Sequence, residues 1–153
     1  RAHSEAGYRW VVDIDREKFF DTENHDRLMA RMKAKIADKR VPRLVNEYLK
    51  AGVMAEGVIA RSEVGTPQGG PLSPLLSNIV LTELDEKLEE RGHRFVRYAD
   101  DCNIYVKSER AAKRVLESIS RFIERRMRLK VNEKKSAVGR AVKRQFLGFS
   151  FYY

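Results

Sequence analysis

The sequence predicts an α+β domain, in which an antiparallel sheet carries helices on one face. Strand-like and amphipathic helical segments follow one another in the order β-αα-β-α-ββ-α-β-β, and no segment repeats another. The 153 residues suffice for one domain with its own core. The hydrophobic fraction of 42% is a little below the globular average and the charged fraction of 35% is well above it, but the apolar residues are spread along the chain as in a folded protein. No apolar run approaches the length of about 18 residues that a transmembrane helix needs, so we expect no membrane partner.

The first predicted strand, Tyr8–Asp15, separates apolar from acidic side chains. Alternate positions carry apolar residues that share one face, namely Trp10, Val12 and Ile14. Asp13 and Asp15 then share the opposite face near the end of the strand.

Two helices and an extended segment are expected next. The helices lie near His25–Asp38 and Pro42–Ala51, and Gly52 stops the second one. Val53–Val64 looks extended, with Gly57 and Gly65 as turn residues.

A long amphipathic helix follows the turn-forming segment Thr66–Pro74. Ser73 suits its N-cap, Pro74 its first position and Gly92 its stop. Its apolar residues recur every four positions and predict the buried stripe: Leu76, Val80, Leu84 and Leu88.

The last third of the chain predicts a hairpin, a helix and two strands. Phe95–Val106 is strand-like on both sides of Ala99-Asp100-Asp101, which predicts a hairpin with acids at its tip. Ala111–Met127 repeats apolar residues on one helical face, while Leu129–Val131 and Gln145–Tyr153 look like strands.

The excess positive charge is concentrated near the C-terminus. The chain has 31 basic and 22 acidic residues, and the segment Arg110–Arg144 alone holds thirteen basic and three acidic ones. Such a segment attracts nucleic-acid phosphates without reading base sequence, although a solvated helix face has the same composition. The single cysteine, Cys102, excludes an internal disulfide and a cysteine-based zinc cluster.

Acidic residues at two distant points of the chain suggest a metal site. Turns favour aspartate for backbone hydrogen bonding, which alone could explain Asp100-Asp101. If the Tyr8–Asp15 strand neighbours the hairpin, however, two or three carboxylates converge, and such a cluster needs a cation. All-oxygen ligation suits Mg²⁺, and two such ions serve phosphoryl transfer. Periodicity does not choose between Asp13 and Asp15.

Five segments, taken in order, resemble the palm motifs of reverse transcriptases. They are Asp15–Asp21, Thr66–Pro74, Tyr98–Asp101, Asn132–Ser136 and Phe146–Phe149. Two of these segments contain the sequences Gln-Gly-Gly-Pro-Leu-Ser-Pro and Tyr-Ala-Asp-Asp. These sequences are most similar to those of bacterial reverse transcriptases encoded in group II introns. The resemblance implies a polymerase palm, a ferredoxin-like antiparallel sheet with helices on one face, plus a partial fingers insertion.

The resemblance also implies the metal and proton-transfer residues. Asp15 rather than Asp13 would ligate two Mg²⁺ ions together with Asp100, with Mn²⁺ as a possible substitute. Asp101 and the backbone carbonyl of Arg16 would complete this group. Lys135 would protonate the leaving pyrophosphate; its simpler interpretation is a solvated lysine.

Nucleotide and primer contacts are implied in the same way. Phe20 would lie under the sugar and exclude a 2′-hydroxyl, although a core role is the ordinary one for phenylalanine. The other implied nucleotide contacts are Gln68, Gly69 and Tyr98. The implied primer or template contacts are Gly70, Pro71, Phe146, Leu147 and Gly148.

The resemblance leads us to expect an RNA-directed DNA polymerase acting with an RNA template, a DNA primer and deoxynucleoside triphosphates. Structured intron RNA is a further expected partner, and the bacterial cytoplasm is the expected location. We expect residues 1–153 to form one palm fragment with a finger-side insertion at about 24–62, with upstream fingers and a downstream thumb and maturase region outside it. The alternatives are another palm enzyme, such as a cyclase or an RNA polymerase, and a non-catalytic RNA-binding splicing module.

Overall fold

The computed structural model describes residues 7–15, 24–51, 53–55, 58–60, 72–143, 145–146 and 149–150. In chain order its elements are β1 (Trp10–Ile14), α1 (His25–Lys35), α2 (Arg40–Ala51), β2 (Val53–Ala55), β3 (Val58–Ala60), α3 (Ser73–Glu90), β4 (Arg94–Tyr98), β5 (Asp101–Val106), α4 (Glu109–Phe122), β6 (Ala137–Arg140), β7 (Gln145–Phe146) and β8 (Phe149–Ser150). The chain divides into two compact units, one of residues 1–17 and 83–153 and the other of residues 18–82.

A four-stranded antiparallel sheet organises the first unit. Its strand order is β4-β5-β1-β6, so β1 and β5 occupy the centre. The β1–β5 register pairs Ile14 with Cys102, and the β4–β5 register pairs Tyr98 with Asp101. The sheet therefore brings the first strand against the predicted hairpin.

The two sides of the sheet differ in what covers them. One side carries the apolar residues of β1 and β5, and Val12, Ile14, Cys102 and Ile104 are fully buried there. On the other side, Val11 and Tyr105 form a separate small cluster with Ala141. Because this cluster includes no residue of α3 or α4 among those described, the helices cover the first side, as the sequence predicts.

α4 packs on the sheet through a narrow apolar stripe. Ala112, Val115 and Ile119 are buried, and the helix contacts β1, β5 and β6. Ser108 caps its start, because the Ser108 hydroxyl accepts a hydrogen bond from the Ala111 N–H at 3.2 Å. The α-helix ends at Phe122 and continues as a π-helical turn, Ile123–Met127, rather than as a regular helix to Met127.

The second unit holds a helical pair and a short hairpin. α1 buries Leu28, Met29 and Met32, and α2 buries Val45 and Leu49. The two helices contact one another, and β2 pairs with β3 in antiparallel fashion.

α3 begins in the second unit and ends in the first. Its predicted stripe is confirmed, because Leu76, Val80, Leu84 and Leu88 are all buried. The helix begins one residue earlier than the sequence predicts: the Leu76 N–H donates to the Leu72 carbonyl, which makes Ser73 helical rather than the cap. Within the described residues, no helix is long and apolar enough to cross a membrane.

Two predicted strands are wrong in position or extent. Leu129–Val131 forms no strand beyond a single bridge at Val131, and the fourth strand of the sheet is β6 instead. Leu129 and Val131 are buried, so their apolar character reports core packing and not strand geometry. In the segment Gln145–Tyr153, the described residues form the short hairpin β7–β8.

Candidate active site

The end of β1 and the start of β5 bring two carboxylates to one sheet edge. The β1–β5 register ends with Ile14 opposite Cys102. Asp15 directly follows Ile14 and Asp101 directly precedes Cys102, so both acids stand where the paired strands end. Because side chains alternate along a strand, Asp101 points to the side opposite Cys102, which faces away from α3 and α4.

The hairpin tip is held in an unusual backbone conformation. Ala99 has a φ of +51°, in the left-handed region that few residues other than glycine adopt. Ala99 and Asp100 form the two-residue turn between β4 and β5, and a positive φ at the first turn residue suits a tight hairpin. Asp100 and Asp101 are both exposed, so the turn presents acids to the surroundings.

Arg97 fixes this turn from the helix-covered side. Its Nε and Nη2 donate to the two carboxylate oxygens of Asp85 at 2.8 and 2.6 Å. Its Nη1 donates to the Ala99 carbonyl at 2.7 Å. The hydrogen bond to Asp85 raises the pKa of Arg97, so the guanidinium remains charged and links α3 to the tip.

The backbone of Asp15 is held by a turn more than one hundred residues away. The Asp15 N–H donates to Ser136 Oγ at 3.0 Å, and Ser136 Oγ donates back to the Asp15 carbonyl at 3.1 Å. The Asn132 N–H also donates to the Asp15 carbonyl at 3.0 Å. Both polar backbone groups of Asp15 are thus satisfied by the segment Asn132–Ser136.

Lys135 lies in that same turn with its side chain exposed. Its N–H donates to the backbone carbonyl of Asn132 at 3.2 Å and reaches Asn132 Oδ1 at 3.3 Å. The Ser136 N–H donates to the Asn132 carbonyl at 2.8 Å. This turn therefore carries an exposed cation and contacts the backbone of Asp15, the residue that follows β1.

The acidic side of the sheet also contains polar residues further along the strands. Asp13 lies opposite Asn103, which is buried and hydrogen-bonds the Tyr105 hydroxyl. Burial raises the pKa of Tyr105, and the nearby Asp13 carboxylate raises it further. Tyr98, opposite Asp101 in β4, is 63% exposed, so its ring is accessible beside the acids.

The donor chemistry of this edge fits a divalent cation. Carboxylate oxygens are the ligands that Mg²⁺ prefers, completed by water or phosphate oxygens. Among the described residues, however, no group of three or more His, Cys, Asp or Glu side chains is gathered closely enough to hold a metal. Asp15 directly follows β1, Asp101 begins the neighbouring β5, and Asp100 lies in the adjoining turn.

Several predicted site residues lie outside the described part of the chain. They are Arg16, Phe20, Gln68, Gly69, Gly70, Pro71, Leu147 and Gly148. Phe146 is described as part of β7 by its backbone alone. The roles of these residues stay predictions.

The sequence singles out Asn132–Ser136 as a motif but assigns no supporting role to Asn132, Ser136 or Asp85. Ser136 and Asn132 reach Asp15 across 121 and 117 positions respectively, and no local pattern announces such contacts. Nothing in the sequence distinguishes Asp85 from the other acids of α3. Arg97, however, lies on the buried face of its strand and needs an acidic partner, which a helix packed on that face can supply. A search for polar residues on buried faces is the signal that finds this pair.

The basic residues of α4 lie on the side of the helix that points away from the sheet. We call Arg110, Lys113, Arg114 and Arg121 the outer basic stripe; all four are exposed. Within it, Lys113 pairs with Glu109 and Arg121 with Glu117, each at 2.6 Å. Because α4 covers the other side of the sheet from Asp101, the stripe is separated from that acid by the sheet and the helix.

The family model described as reverse transcriptase (RNA-dependent DNA polymerase) matches residues 1–151. Protein YkfC of Escherichia coli is 43% identical over 83 residues, which are 54% of this chain and 22% of YkfC. The group II intron-encoded protein LtrA of Lactococcus lactis is 39% identical over 92 residues, or 60% of this chain and 15% of LtrA. This chain therefore spans about a fifth or less of these relatives.

Among solved structures, the Candida tropicalis telomerase in complex with a telomeric RNA fragment is similar in fold. It has a TM-score of 0.69 at 16% identity, covering 92% of this chain and 28% of that one. At this identity the likeness concerns the fold alone. It confirms the predicted α+β, palm-like architecture.

Proposed function

The chain belongs to the reverse transcriptase (RNA-dependent DNA polymerase) family, and on that premise we propose that it forms the catalytic palm of an enzyme that extends a primer on an RNA template. The observation that supports the proposal is the β1–β5 register, which ends with Ile14 opposite Cys102, so that Asp15 follows one strand end and Asp101 begins its neighbour beside the tip residue Asp100. Acids at neighbouring strand ends provide the hard oxygen donors that nucleotidyl transfer requires.

In this proposal Asp15, Asp100 and Asp101 hold two Mg²⁺ ions, with the Arg16 carbonyl as a further oxygen donor. The bound metal would activate the primer hydroxyl and stabilise the leaving oxygen. The protein's own contribution is positional: the Asn132–Ser136 turn fixes the Asp15 backbone, and Arg97 fixes the hairpin tip through Ala99. Lys135, exposed on its turn, would donate a proton to the departing pyrophosphate.

The substrate contacts of the proposal follow the family resemblance. Phe20 would lie under the deoxyribose, and Gln68, Gly69 and the exposed Tyr98 would contact the incoming nucleotide. The proposed primer or template contacts are Gly70, Pro71, Phe146, Leu147 and Gly148.

We propose that the unit built on the four-stranded sheet belongs to the palm and that the finger-side insertion occupies about residues 24–62, within the compact unit of residues 18–82. The likeness to a group II intron-encoded protein supports an origin in such an element. Intron mobility and intron RNA as a partner are parts of this proposal, as are RNA template, DNA primer and deoxynucleoside triphosphates.

The direct test is primer extension on an RNA template by the whole protein that carries this chain. We expect the Asp100→Asn/Asp101→Asn double variant and the Asp15→Asn variant to lose activity by at least about a thousandfold, because electrostatic stabilisation of the reacting phosphate is lost. Asp26→Asn, which changes an exposed aspartate in the first turn of α1, is the matched control and should remain active. Extension that survives the double substitution would refute the metal assignment.

The outer basic stripe favours a second candidate function, an RNA-binding splicing module without catalysis. A purely binding surface gains nothing from three aspartates at one sheet edge, because they repel phosphate. The same variants separate the two functions: a binding module would retain RNA affinity and splicing support after the carboxylates are removed.

A further inference from the structure

The contact between Ser136 and Asp15 lies where the β1–β6 ladder would otherwise form its next backbone pair. The β1–β6 register pairs Val11 with Gly139 and Asp13 with Ala137. The Ala141 N–H donates to the Arg9 carbonyl at 3.0 Å, in the same register. Antiparallel hydrogen-bonded pairs recur at every second residue, so the next such pair would join Asp15 to Lys135.

The chain does not make that pair. β6 is preceded by the Asn132–Ser136 turn, in which the Lys135 N–H bonds to Asn132 instead of Asp15. The Ser136 hydroxyl takes the place of the absent backbone partner: it accepts from the Asp15 N–H at 3.0 Å and donates to the Asp15 carbonyl at 3.1 Å. The Asp15 N–H thus has the Ser136 hydroxyl as its acceptor in place of a backbone carbonyl, while the Asp15 carbonyl also accepts from the Asn132 N–H at 3.0 Å.

This replacement has a chemical consequence for Lys135. In the regular ladder, its side chain would stand directly opposite Asp15 and on the same side of the sheet. An ammonium group at that distance pairs with a carboxylate and competes with a metal ion for it. On the turn, Lys135 is exposed, and its backbone N–H bonds to Asn132 and not to Asp15.

We propose that Ser136 is a positioning residue, whose hydroxyl fixes the backbone of Asp15 for metal binding and allows Lys135 to leave the sheet. A single side chain thereby sets the positions of the metal-binding acid and of the proton donor. This inference rests on the proposed function, because it takes Asp15 as a metal ligand and Lys135 as the acid.

The test compares variants of the whole protein with the unaltered one. Ser136→Ala removes the hydroxyl, and Ser136→Thr retains it with one added methyl group. Ser118→Ala is the matched control, because the Ser118 hydroxyl donates to the Val115 carbonyl within α4 and accepts from Arg91. Ser136→Cys, which keeps a weak donor of similar size, serves in place of alanine if the alanine variant does not fold.

Three readouts are needed. Mn²⁺ binding is measured by the electron paramagnetic resonance of the free ion, without any turnover. Hydrogen exchange is measured at the Asp15 amide. Primer extension is separated into kcat and the KM for the deoxynucleotide, at saturating Mg²⁺.

We expect Ser136→Ala to weaken Mn²⁺ binding about 10–100-fold, the usual scale for losing a group that orients a metal ligand. The Asp15 amide should exchange at least about tenfold faster because its acceptor is gone. The kcat should fall with little change in KM, because the substrate contacts are retained while the metal-binding acid is less well positioned. Ser136→Thr should restore all three, while Ser118→Ala should resemble the unaltered protein.

Mn²⁺ affinity, Asp15 exchange and kcat that are all unchanged in Ser136→Ala would overturn the inference. Asp15→Asn, measured alongside, distinguishes this failure from failure of the proposed function. If Asp15→Asn abolishes Mn²⁺ binding and activity while Ser136→Ala changes neither, the positioning role alone is wrong. If Asp15→Asn itself changes neither, the metal assignment falls, and the positioning role falls with it.

Discussion

The guanidinium of Arg97 donates hydrogen bonds to both carboxylate oxygens of Asp85, at 2.8 and 2.6 Å. Its remaining nitrogen donates to the Ala99 carbonyl at 2.7 Å. The two side chains are only 13% and 24% exposed, so this is a bidentate, largely desolvated ion pair rather than a surface one. It joins a buried helix to the turn that carries Asp100.

We predict that Arg97→Lys destabilises the domain and its hairpin tip together. Lysine keeps the charge but lacks the planar fork, so Asp85 and the Ala99 carbonyl cannot both be satisfied. The free energy of unfolding in urea should fall by about 1–3 kcal/mol, the scale for hydrogen bonds to charged groups. Arg94→Lys, on the exposed end of the same strand, is the control. The same stability for both variants would contradict the role given to Arg97.

We predict that Phe20 selects the sugar. If its ring lies under the deoxyribose, Phe20→Val should raise kcat/KM for ribonucleotides by ~10–200-fold, with a smaller change for deoxynucleotides. A phenylalanine in the core would instead lose both activities together as stability fell by about 3–5 kcal/mol on truncation. Steady-state kinetics with the two nucleotide classes decides, and an unchanged ratio excludes the sugar contact.

The outer basic stripe should bind phosphate apart from catalysis. Arg110→Gln/Arg114→Gln removes two exposed cations of α4. The slope of log K against log salt for RNA binding should then become shallower by about 1.4–1.8, since each lost phosphate contact contributes about 0.7–0.9. The kcat on a short primer-template should stay unchanged, because the stripe lies beyond the helix-covered side of the sheet. An unaltered slope would mean that the stripe is merely a solvated helix face.

His93 should make the domain less stable in mild acid. Burial lowers the pKa of His93 below its ordinary 6.5, and the neighbouring Arg91 lowers it further. The unfolded chain therefore binds this proton more readily, so the stability contribution is complete above about pH 6.5 and declines as the pH falls below it. Urea unfolding at about pH 7.5 and about pH 5.5 should show a smaller loss of stability for His93→Gln than for the unaltered protein. An equal loss in both would contradict this.

The sequence predicts what depends on local periodicity and misses what depends on distant partners. The alternation in β1 correctly assigns Ile14 and Asp13 to opposite faces, because the side-chain period of a strand is two. β6 has no such signature: Ala-Val-Gly-Arg lacks the β-branched alternation of a typical strand, and its pairing with β1 makes it a strand.

In the candidate site, too, local features could be predicted and contacts between distant residues could not. The acids at the hairpin tip could be predicted from the composition of the turn and its flanking strands. The hydrogen bonds between the Ser136 hydroxyl and the Asp15 backbone could not be predicted, because they form only if β6 begins after Ser136. Tertiary structure sets that boundary, and local propensity does not.

The rate at which Cys102 reacts with a thiol reagent measures how often the site opens. This single cysteine is fully buried, lies opposite both Ile14 and Arg97, and directly follows Asp101. An alkylating reagent reaches its sulfur when the central strands separate at that point, so the labelling rate, divided by that of an exposed thiol, reports the fraction of molecules open there. Ligands that bind at the sheet edge carrying Asp100 and Asp101 and keep the strands paired should therefore slow thiol labelling, even where no nucleotide is incorporated.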